Sequence, residues 1–202
     1  TTTGSTILIN IEASPPGILA WRSLLQWLGG IGVIVMAIAI FPMLSVGGMQ
    51  LFKAENFENP EKVIPRATSL TRGIFIIYSV LTLIWASLLY FSGMSFFDSI
   101  LHSMTTIATG GYSTKSGSIG AFNSQLIDWI IILGMIFGSL PFVHYLAMTK
   151  GSYRDLIKDS QVRWFLVLLT ILVLTIFSLL FLNGTYDWKD SIRYSAFNVT
   201  SI

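Results

Sequence analysis

Four long runs without Asp, Glu, Lys or Arg dominate the hydropathy pattern of this chain. They cover residues 23–44, 73–94, 129–149 and 164–182. A helix of about 20 apolar residues crosses the roughly 30 Å hydrocarbon core of a bilayer. The pattern therefore predicts an all-α membrane protein with four transmembrane helices.

Basic residues are concentrated in two of the segments between these runs. Eight of the twelve Lys and Arg residues lie in segments 53–72 and 150–163. Two segments separated by two spans face the same side, and the positive-inside rule places the richer side in the cytoplasm. We therefore expect a cell-membrane protein with cytoplasmic loops at 53–72 and 150–163, and with segment 95–128 outside.

Composition narrows the class of protein further. Apolar residues make up 53% of the 202 residues, charged residues only 11%, and Cys is absent. Soluble domains carry about 25% charged residues, so this composition excludes a nucleic-acid-binding domain and a disulfide scaffold. The chain starts at Thr1 without Met and ends within an apolar stretch, which suggests an internal fragment of a longer protein.

Segment 95–107 is too apolar for a free loop and too short to span a membrane. Thirteen helical residues reach only about 20 Å. Ser95 and Asp98 suit a helix start, and Gly110 and Gly111 end the helix. We predict a pore helix over 95–107 that leads into a re-entrant loop at 109–114. The alternative is an amphipathic helix on the outer membrane surface.

The same pattern recurs later in the chain. Residues 98–103 (Asp-Ser-Ile-Leu-His-Ser) return as residues 190–195 (Asp-Ser-Ile-Arg-Tyr-Ser), each copy after a long apolar run. The N-terminal Thr-Thr-Thr-Gly resembles the end of the same unit. We infer the end of a first repeat at 1–52, a second repeat at 73–149 and the start of a third at 164–202.

Threonine and glycine at membrane depth have a specific chemical use. Carbonyl oxygens of an extended Thr/Gly backbone replace the hydration shell of K⁺, and the negative end of a short helix favours a cation. Segment 105–114 holds no acidic residue. These features indicate a path for monovalent cations.

Five motifs together resemble the Trk/Ktr/HKT superfamily of potassium transporters, most closely its bacterial TrkH branch. They are Thr-Thr-Thr-Gly (1–4), Gln-Trp-Leu-Gly-Gly-Ile-Gly (26–32), Gly-Gly-Met-Gln-Leu-Phe (47–52), Ala-Thr-Gly-Gly-Tyr-Ser-Thr (108–114) and Ala-Phe-Asn-Val-Thr-Ser-Ile (196–202). The resemblance implies four joined helix–pore loop–helix repeats around one ion path, each with a filter glycine.

The resemblance also implies ligands, partners and an activity. The activity is K⁺ uptake, and K⁺ is the only ion implied at the filter. A homodimer in the lipid bilayer and a cytosolic nucleotide-binding regulatory subunit are implied, so that any nucleotide belongs to the partner. The implied ion-facing groups are the backbone carbonyls of Thr2, Thr3, Gly4, Ala108, Thr109, Gly110 and Gly111.

Glycine and proline within the spans have two readings. Glycines in a membrane helix allow close helix packing, and a proline kinks its helix and frees a carbonyl. The functional interpretation of the same residues is that they form a hinge or gate. The candidates for it are Gly29, Gly30, Gly32, Pro42 and Pro141.

Two other functions compete with a potassium pore. A sodium- or proton-coupled secondary transporter also uses re-entrant, broken helices around a midplane pocket. An intramembrane enzyme would need clustered His, Asp, Glu or a Ser–Lys pair within the spans. The spans contain no such cluster, so we expect no enzymatic activity.

Overall fold

A computed structural model describes residues 2–44, 63–149, 151 and 153–202. These residues form eight α-helices and one 3₁₀-helix, and they contain no strand. The α-helices are α1 (Pro16–Leu44), α2 (Val63–Phe91), α3 (Phe96–Ile107), α4 (Gln125–Ser139), α5 (Phe142–Thr149), α6 (Tyr153–Lys158), α7 (Ser160–Leu182) and α8 (Trp188–Ser201), and the 3₁₀-helix is Ser118–Phe122.

Three of the described helices are long and apolar enough to cross a membrane. They contain the stretches Pro16–Met36 in α1, Ser69–Phe91 in α2 and Ser160–Leu182 in α7. The bent pair α4 and α5 counts as a fourth span if its two parts are taken together. None of the most apolar stretch of α7 is buried against other described residues, which suits a helix that faces lipid or a further part of the protein.

The third predicted span is not one helix, so that part of the prediction is wrong. Helix α4 ends at Ser139, α5 begins at Phe142, and the two axes differ by 88°. Leu140 is extended, with φ −75° and ψ 147°, as expected for a residue that precedes proline. Pro141 has no N–H and its ring clashes with the preceding turn, so the helix breaks there.

Several helix ends also differ from the limits set by charge. Helix α1 begins at Pro16 instead of 23, and α2 begins at Val63 instead of 73. The segment 150–163 contains α6 and the first turn of α7. A charged side chain marks where a helix leaves lipid, while the backbone hydrogen bonds continue into water. The rest of the 53–72 loop and the 47–52 motif lie outside the described residues.

The short helix α3 occupies the centre of the fold. It packs against α1, α2 and α4, and its side chains Ser99, Leu101, His102 and Ser103 are buried. Ser95 caps its start by accepting the backbone N–H of Asp98 at 3.0 Å, as predicted. A short helix with buried polar side chains is therefore surrounded by longer apolar ones.

Helices α3 and α8 bury their corresponding residues alike. Ser99 and Ser103 of α3 match Ser191 and Ser195 of α8, and each of the four is at most 1% exposed. Small hydroxyl side chains let helices approach closely. Helix α8 packs against α4 and α7.

Two glycines of α4 bring this helix against the end of α3. A Cβ atom on Gly134 would lie 2.3 Å from Trp85 Nε1 and 2.6 Å from Thr106 Cγ2. A Cβ atom on Gly138 would lie 2.8 Å from the carbonyl oxygen of Ile107. This GxxxG pair thus has a packing role.

We expect Gly134→Ala to lower the thermal stability of the protein. The added methyl group overfills the contact with Trp85 and Thr106, at a cost of about 1–3 kcal/mol. Thermal unfolding of the purified protein in detergent measures the change. Gly17→Ala is the matched control, because no described atom lies within 4 Å of its Cβ position. Equal melting temperatures for the two variants would contradict the packing role.

Candidate functional site

Helix α3 ends in a hydrogen-bonded turn that starts the glycine loop, residues 108–114. The N–H of Thr109 donates to the carbonyl of Thr106 at 3.0 Å, and that of Gly110 donates to Thr105 at 2.8 Å. This pair of bonds is a Schellman motif, which needs a left-handed residue after the helix cap. Thr109 takes that conformation with φ +51°, although glycine is usual there and a β-branched residue is strained.

We expect Thr109→Gly to stabilise the protein by about 1 kcal/mol. Glycine removes a left-handed strain of about 1–2 kcal/mol and adds some entropy to the unfolded chain. Ser118→Gly is the control, because Ser118 has φ +54° in the 3₁₀-helix. Thermal unfolding should show a gain for both variants. A loss of stability confined to Thr109→Gly would mean that the Thr109 side chain makes a stabilising contact.

The glycine loop meets the N-terminal segment, residues 2–4, at a backbone contact. Gly4 has φ +75°, and a Cβ atom there would lie 2.6 Å from the carbonyl oxygen of Gly110. Gly111 has φ +83°, with no described atom within 4 Å of its Cβ position. Gly4 is therefore required by both conformation and contact, and Gly111 by conformation.

Gln26 of α1 binds the glycine loop from one side. Its Nε2 donates to the carbonyl of Gly110 at 2.8 Å, and its Oε1 accepts the N–H of Tyr112 at 3.1 Å. The side chain is 1% exposed. The motif at 26–32 includes Gln26, but the motif alone does not predict this role. The available signal was a polar amide within an uncharged run.

Polar side chains of α3 hold the second half of the glycine loop, residues 112–114. Thr105 Oγ1 donates to the carbonyl of Tyr112 at 2.9 Å, and Thr114 Oγ1 donates to Asp98 Oδ1 at 2.5 Å. His102 has partners on both ring nitrogens: the carbonyl of Asp98 at 2.8 Å and Ser113 Oγ at 3.0 Å. His102 is thus a satisfied interior side chain.

A further set of contacts ties the first turns of α1 and the segment before it to the glycine loop and the residues after it. The Arg22 guanidinium lies 4.3 Å from the centre of the Tyr112 ring. Glu12 accepts the backbone N–H of Ser116 at 2.7 Å and also its hydroxyl. These hydrogen bonds, that from the hydroxyl first, hold the pKa of the Glu12 carboxyl below its usual range. The N-terminal segment and the glycine loop, together the two glycine segments, are therefore flanked by further contacts between the same two parts of the chain.

Two spaces border these segments and have Thr2, Thr109 and Ser139 in common. The first, about 770 Å³, is lined by the N-terminal segment, by Gly110 and Gly111, and by the end of α8. The second, about 670 Å³, reaches Ala108 and Pro141. All seven residues predicted as ion-facing thus line one space or the other. None of the described lining residues is Asp, Glu, Lys or Arg.

The hinge candidates have different surroundings. A Cβ atom on Gly30 would lie 2.9 Å from Tyr78 Oη and 3.1 Å from Ala108 Cβ, so Gly30 permits close packing of α1 on the glycine loop. No described atom lies within 4 Å of the Cβ position of Gly32. Gly29 lies in the middle of α1 and Pro42 in its last turn.

His144 has a partner that its own helix does not provide. Its Nε2 lies 3.2 Å from Oδ2 of Asp159, the residue that caps α7. The contact joins α5 to the start of α7, so the spacing of residues along one helix does not predict it. The described residues contain no group of three or more His, Asp or Glu residues suited to a metal ion.

The fold and the site define a class: an all-helical membrane protein in which two glycine segments border uncharged spaces. Comparison with known proteins agrees, because residues 1–188 match the family described as TrkH, cation transport protein. The chain belongs to the TrkH family. It is similar over 99% of its length to the crystal structure of the potassium transporter TrkH from Vibrio parahaemolyticus, with a TM-score of 0.85 and 33% identity. This likeness confirms the predicted all-α fold.

Curated relatives carry the same family name. The chain is 42% identical to the Trk system potassium uptake protein TrkI of Halomonas elongata over 203 residues. It is 38% identical to the Trk system potassium uptake protein TrkH of Escherichia coli K12 over 207 residues. Both alignments cover the whole chain, which spans 41% and 43% of these relatives. The predicted membership of the potassium transporter superfamily is confirmed.

Proposed function

We propose that the protein containing this chain takes up K⁺ through a pore lined by backbone carbonyls of the N-terminal segment and the glycine loop. One observation carries the proposal: two segments with left-handed glycines meet at the C-terminal end of a short central helix, beside spaces without charged lining residues. The names of the relatives support K⁺ as the ion.

The chemistry follows from this arrangement. Carbonyl oxygens replace the water around a monovalent cation, and the negative end of α3 points toward the loop that follows it. Without carboxylates, the site favours a weakly hydrated monovalent ion over a divalent one. The membrane potential supplies about 2.3 kcal/mol per charge for each 100 mV. This energy drives the ion inward, so the pore needs no chemical reaction to move it.

The proposal includes an orientation and a repeat organisation. The basic segments lie on the cytoplasmic side of a cell membrane, and the glycine segments face outward. Segments 1–52, 73–149 and 164–202 are parts of three successive repeats, with α3 and α8 as pore helices. The equal burial of matching serines in these two helices supports that assignment.

The resemblance extends the proposal to gating and partners. A homodimer and a cytosolic nucleotide-binding subunit are proposed on family resemblance. Gly29, Gly32 and Pro42 remain hinge candidates in α1, while Pro141 marks the sharp bend between α4 and α5 beside the second space. This bend would form one boundary of the ion path.

A coupled secondary transporter is the second candidate. The 88° break between α4 and α5 favours it, since such transporters place broken helices at their substrate sites. The two candidates differ in driving force. A pore needs only an electrical potential, and a coupled transporter needs a Na⁺ or H⁺ gradient.

Accumulation of ⁸⁶Rb⁺ by liposomes separates the two candidates. Liposomes that contain the full-length protein are loaded with KCl and diluted into buffer without K⁺, so that K⁺ efflux makes the interior negative. The pore proposal predicts ⁸⁶Rb⁺ accumulation with no Na⁺ or H⁺ gradient. Accumulation that requires either gradient would establish coupled transport instead.

A further inference from the structure

Gln26 of α1 binds the glycine loop through both ends of its side-chain amide. Both polar atoms of its amide are used: Nε2 on the carbonyl of Gly110 and Oε1 on the N–H of Tyr112. These partners are 84 and 86 residues away in sequence. Because Gln26 is 1% exposed, no water can substitute easily for either bond.

The two bonds bracket Gly111. The left-handed conformation of Gly111, φ +83°, is not enforced by any described neighbour within 4 Å of its Cβ position. The peptide groups on both sides of Gly111 are held instead through Gly110 and Tyr112. The amide of Gln26 therefore restricts the direction in which the Gly111 carbonyl points.

The same amide also binds the carbonyl at which the N-terminal segment and the glycine loop meet. The Gly110 carbonyl that accepts from Gln26 is the one that Gly4 approaches, at 2.6 Å from the Cβ position of Gly4. A carbonyl oxygen has two lone pairs. The Gly110 oxygen can therefore accept the hydrogen bond from the Gln26 amide with one lone pair and face an ion with the other. Gln26 thus sets the spacing between the N-terminal segment and the glycine loop.

We propose that Gln26 is a positioning residue for ion selectivity, which it controls by holding the glycine loop against the N-terminal segment. This inference rests on the proposed K⁺ pore. Discrimination between K⁺ and Na⁺ depends on the number and placement of coordinating carbonyls. A loop released from its amide clamp can close around the smaller ion.

Side chains of similar size to glutamine make the proposal testable without large changes of shape. Methionine has nearly the length of glutamine and forms neither bond. Glutamate keeps the acceptor for Tyr112 and loses the donor to Gly110. An alanine at position 110 would place its Cβ 2.4 Å from Gln26 Oε1 and displace the amide from the other direction.

Thr82→Val is the matched control for a lost buried hydrogen bond. Thr82 Oγ1 accepts from Trp27 Nε1 at 2.9 Å, which ties α1 to α2 one residue away from Gln26. Thr82 is 7% exposed and is not among the residues that line the two spaces. Valine preserves its shape and removes the hydroxyl.

The experiment compares ⁸⁶Rb⁺ accumulation by liposomes loaded with KCl or with NaCl, each containing the full-length protein. Only an ion that permeates can leave and drive accumulation, so the KCl/NaCl ratio reports selectivity. We expect a high ratio for the wild type, a ratio about tenfold lower for Gln26→Met, as for the loss of a buried hydrogen bond, and an unchanged ratio for Thr82→Val. Gly110→Ala should lower the ratio similarly, and the double variant should add little.

Each outcome decides a separate question. A wild type that accumulates no ⁸⁶Rb⁺, or that gives equal accumulation with both salts, contradicts the proposed function. A selective wild type with a Gln26→Met ratio within twofold of it overturns the role of Gln26. An equal fall for Thr82→Val also overturns it. If Gln26→Met cannot be purified, Gln26→Glu replaces it, and failure of both to fold while Thr82→Val folds would show a purely structural role.

Discussion

Replacing Gly4 with alanine should reduce K⁺ transport by roughly a hundredfold. A left-handed conformation costs an L-residue about 1–2 kcal/mol, and Gly4 has φ +75°. The added Cβ would also lie 2.6 Å from the carbonyl oxygen of Gly110, a backbone atom that cannot rotate away. Together, strain and overlap of about 3 kcal/mol displace the N-terminal segment. Potential-driven ⁸⁶Rb⁺ accumulation by the full-length protein measures the loss.

Two other glycines separate conformation from contact. Gly93 has φ +102° between α2 and α3, and no described atom lies within 4 Å of its Cβ position. Gly93→Ala should therefore lower stability and leave transport per folded protein close to the wild type. Gly111→Ala carries strain without overlap and should fall between the two. Full transport by Gly4→Ala would mean that segment 2–4 does not border the ion path.

Replacing Arg193 with methionine should destabilise the protein by about 1–3 kcal/mol, the cost of leaving a partly buried polar group without its hydrogen-bond partner. Arg193 of α8 pairs with Asp128 of α4 at 2.8 Å and with Asp190 at 2.7 Å. The Arg193 and Asp128 side chains are only 13% and 14% exposed. Removing the guanidinium leaves the half-buried Asp128 carboxylate without its partner, and this unpaired charge adds to the cost of the lost attraction. A lower melting temperature in detergent is the expected result.

The more exposed partner supplies the control for Arg193. Asp190 is 38% exposed, so Asp190→Asn should change the melting temperature little. Adding Asp128→Asn to Arg193→Met removes the unpaired charge and should recover much of the stability. If the double variant is as unstable as the single one, the loss comes from the packing of the Arg193 side chain and not from charge.

Local sequence features predicted the parts of this fold that depend on local physics. Uncharged runs of sufficient length located the long helices, and Ser95 with Asp98 located the start of α3. The glycines at 4, 110 and 111 marked the segments that border the two spaces. Each of these features depends on residues within about one helical turn or one span.

Features that join distant parts of the chain were not predictable in the same way. The bond from Gln26 to Gly110, the ion pair of Arg193 with Asp128 and the contact of His144 with Asp159 each require a known packing of helices. Pro141 predicted a kink but not its size, because the angle is set by the neighbours on which α5 packs. A single sequence does not contain these spatial relations in a readable form.

Diffraction from crystals of the full-length protein in RbCl tests the central claim most directly. Rubidium stands in for K⁺ and scatters anomalously, so its position is independent of the interpretation of the protein density. The account predicts anomalous peaks in contact with backbone carbonyls of the N-terminal segment and the glycine loop. Rubidium bound elsewhere, with these carbonyls facing away from the ion path, would contradict it.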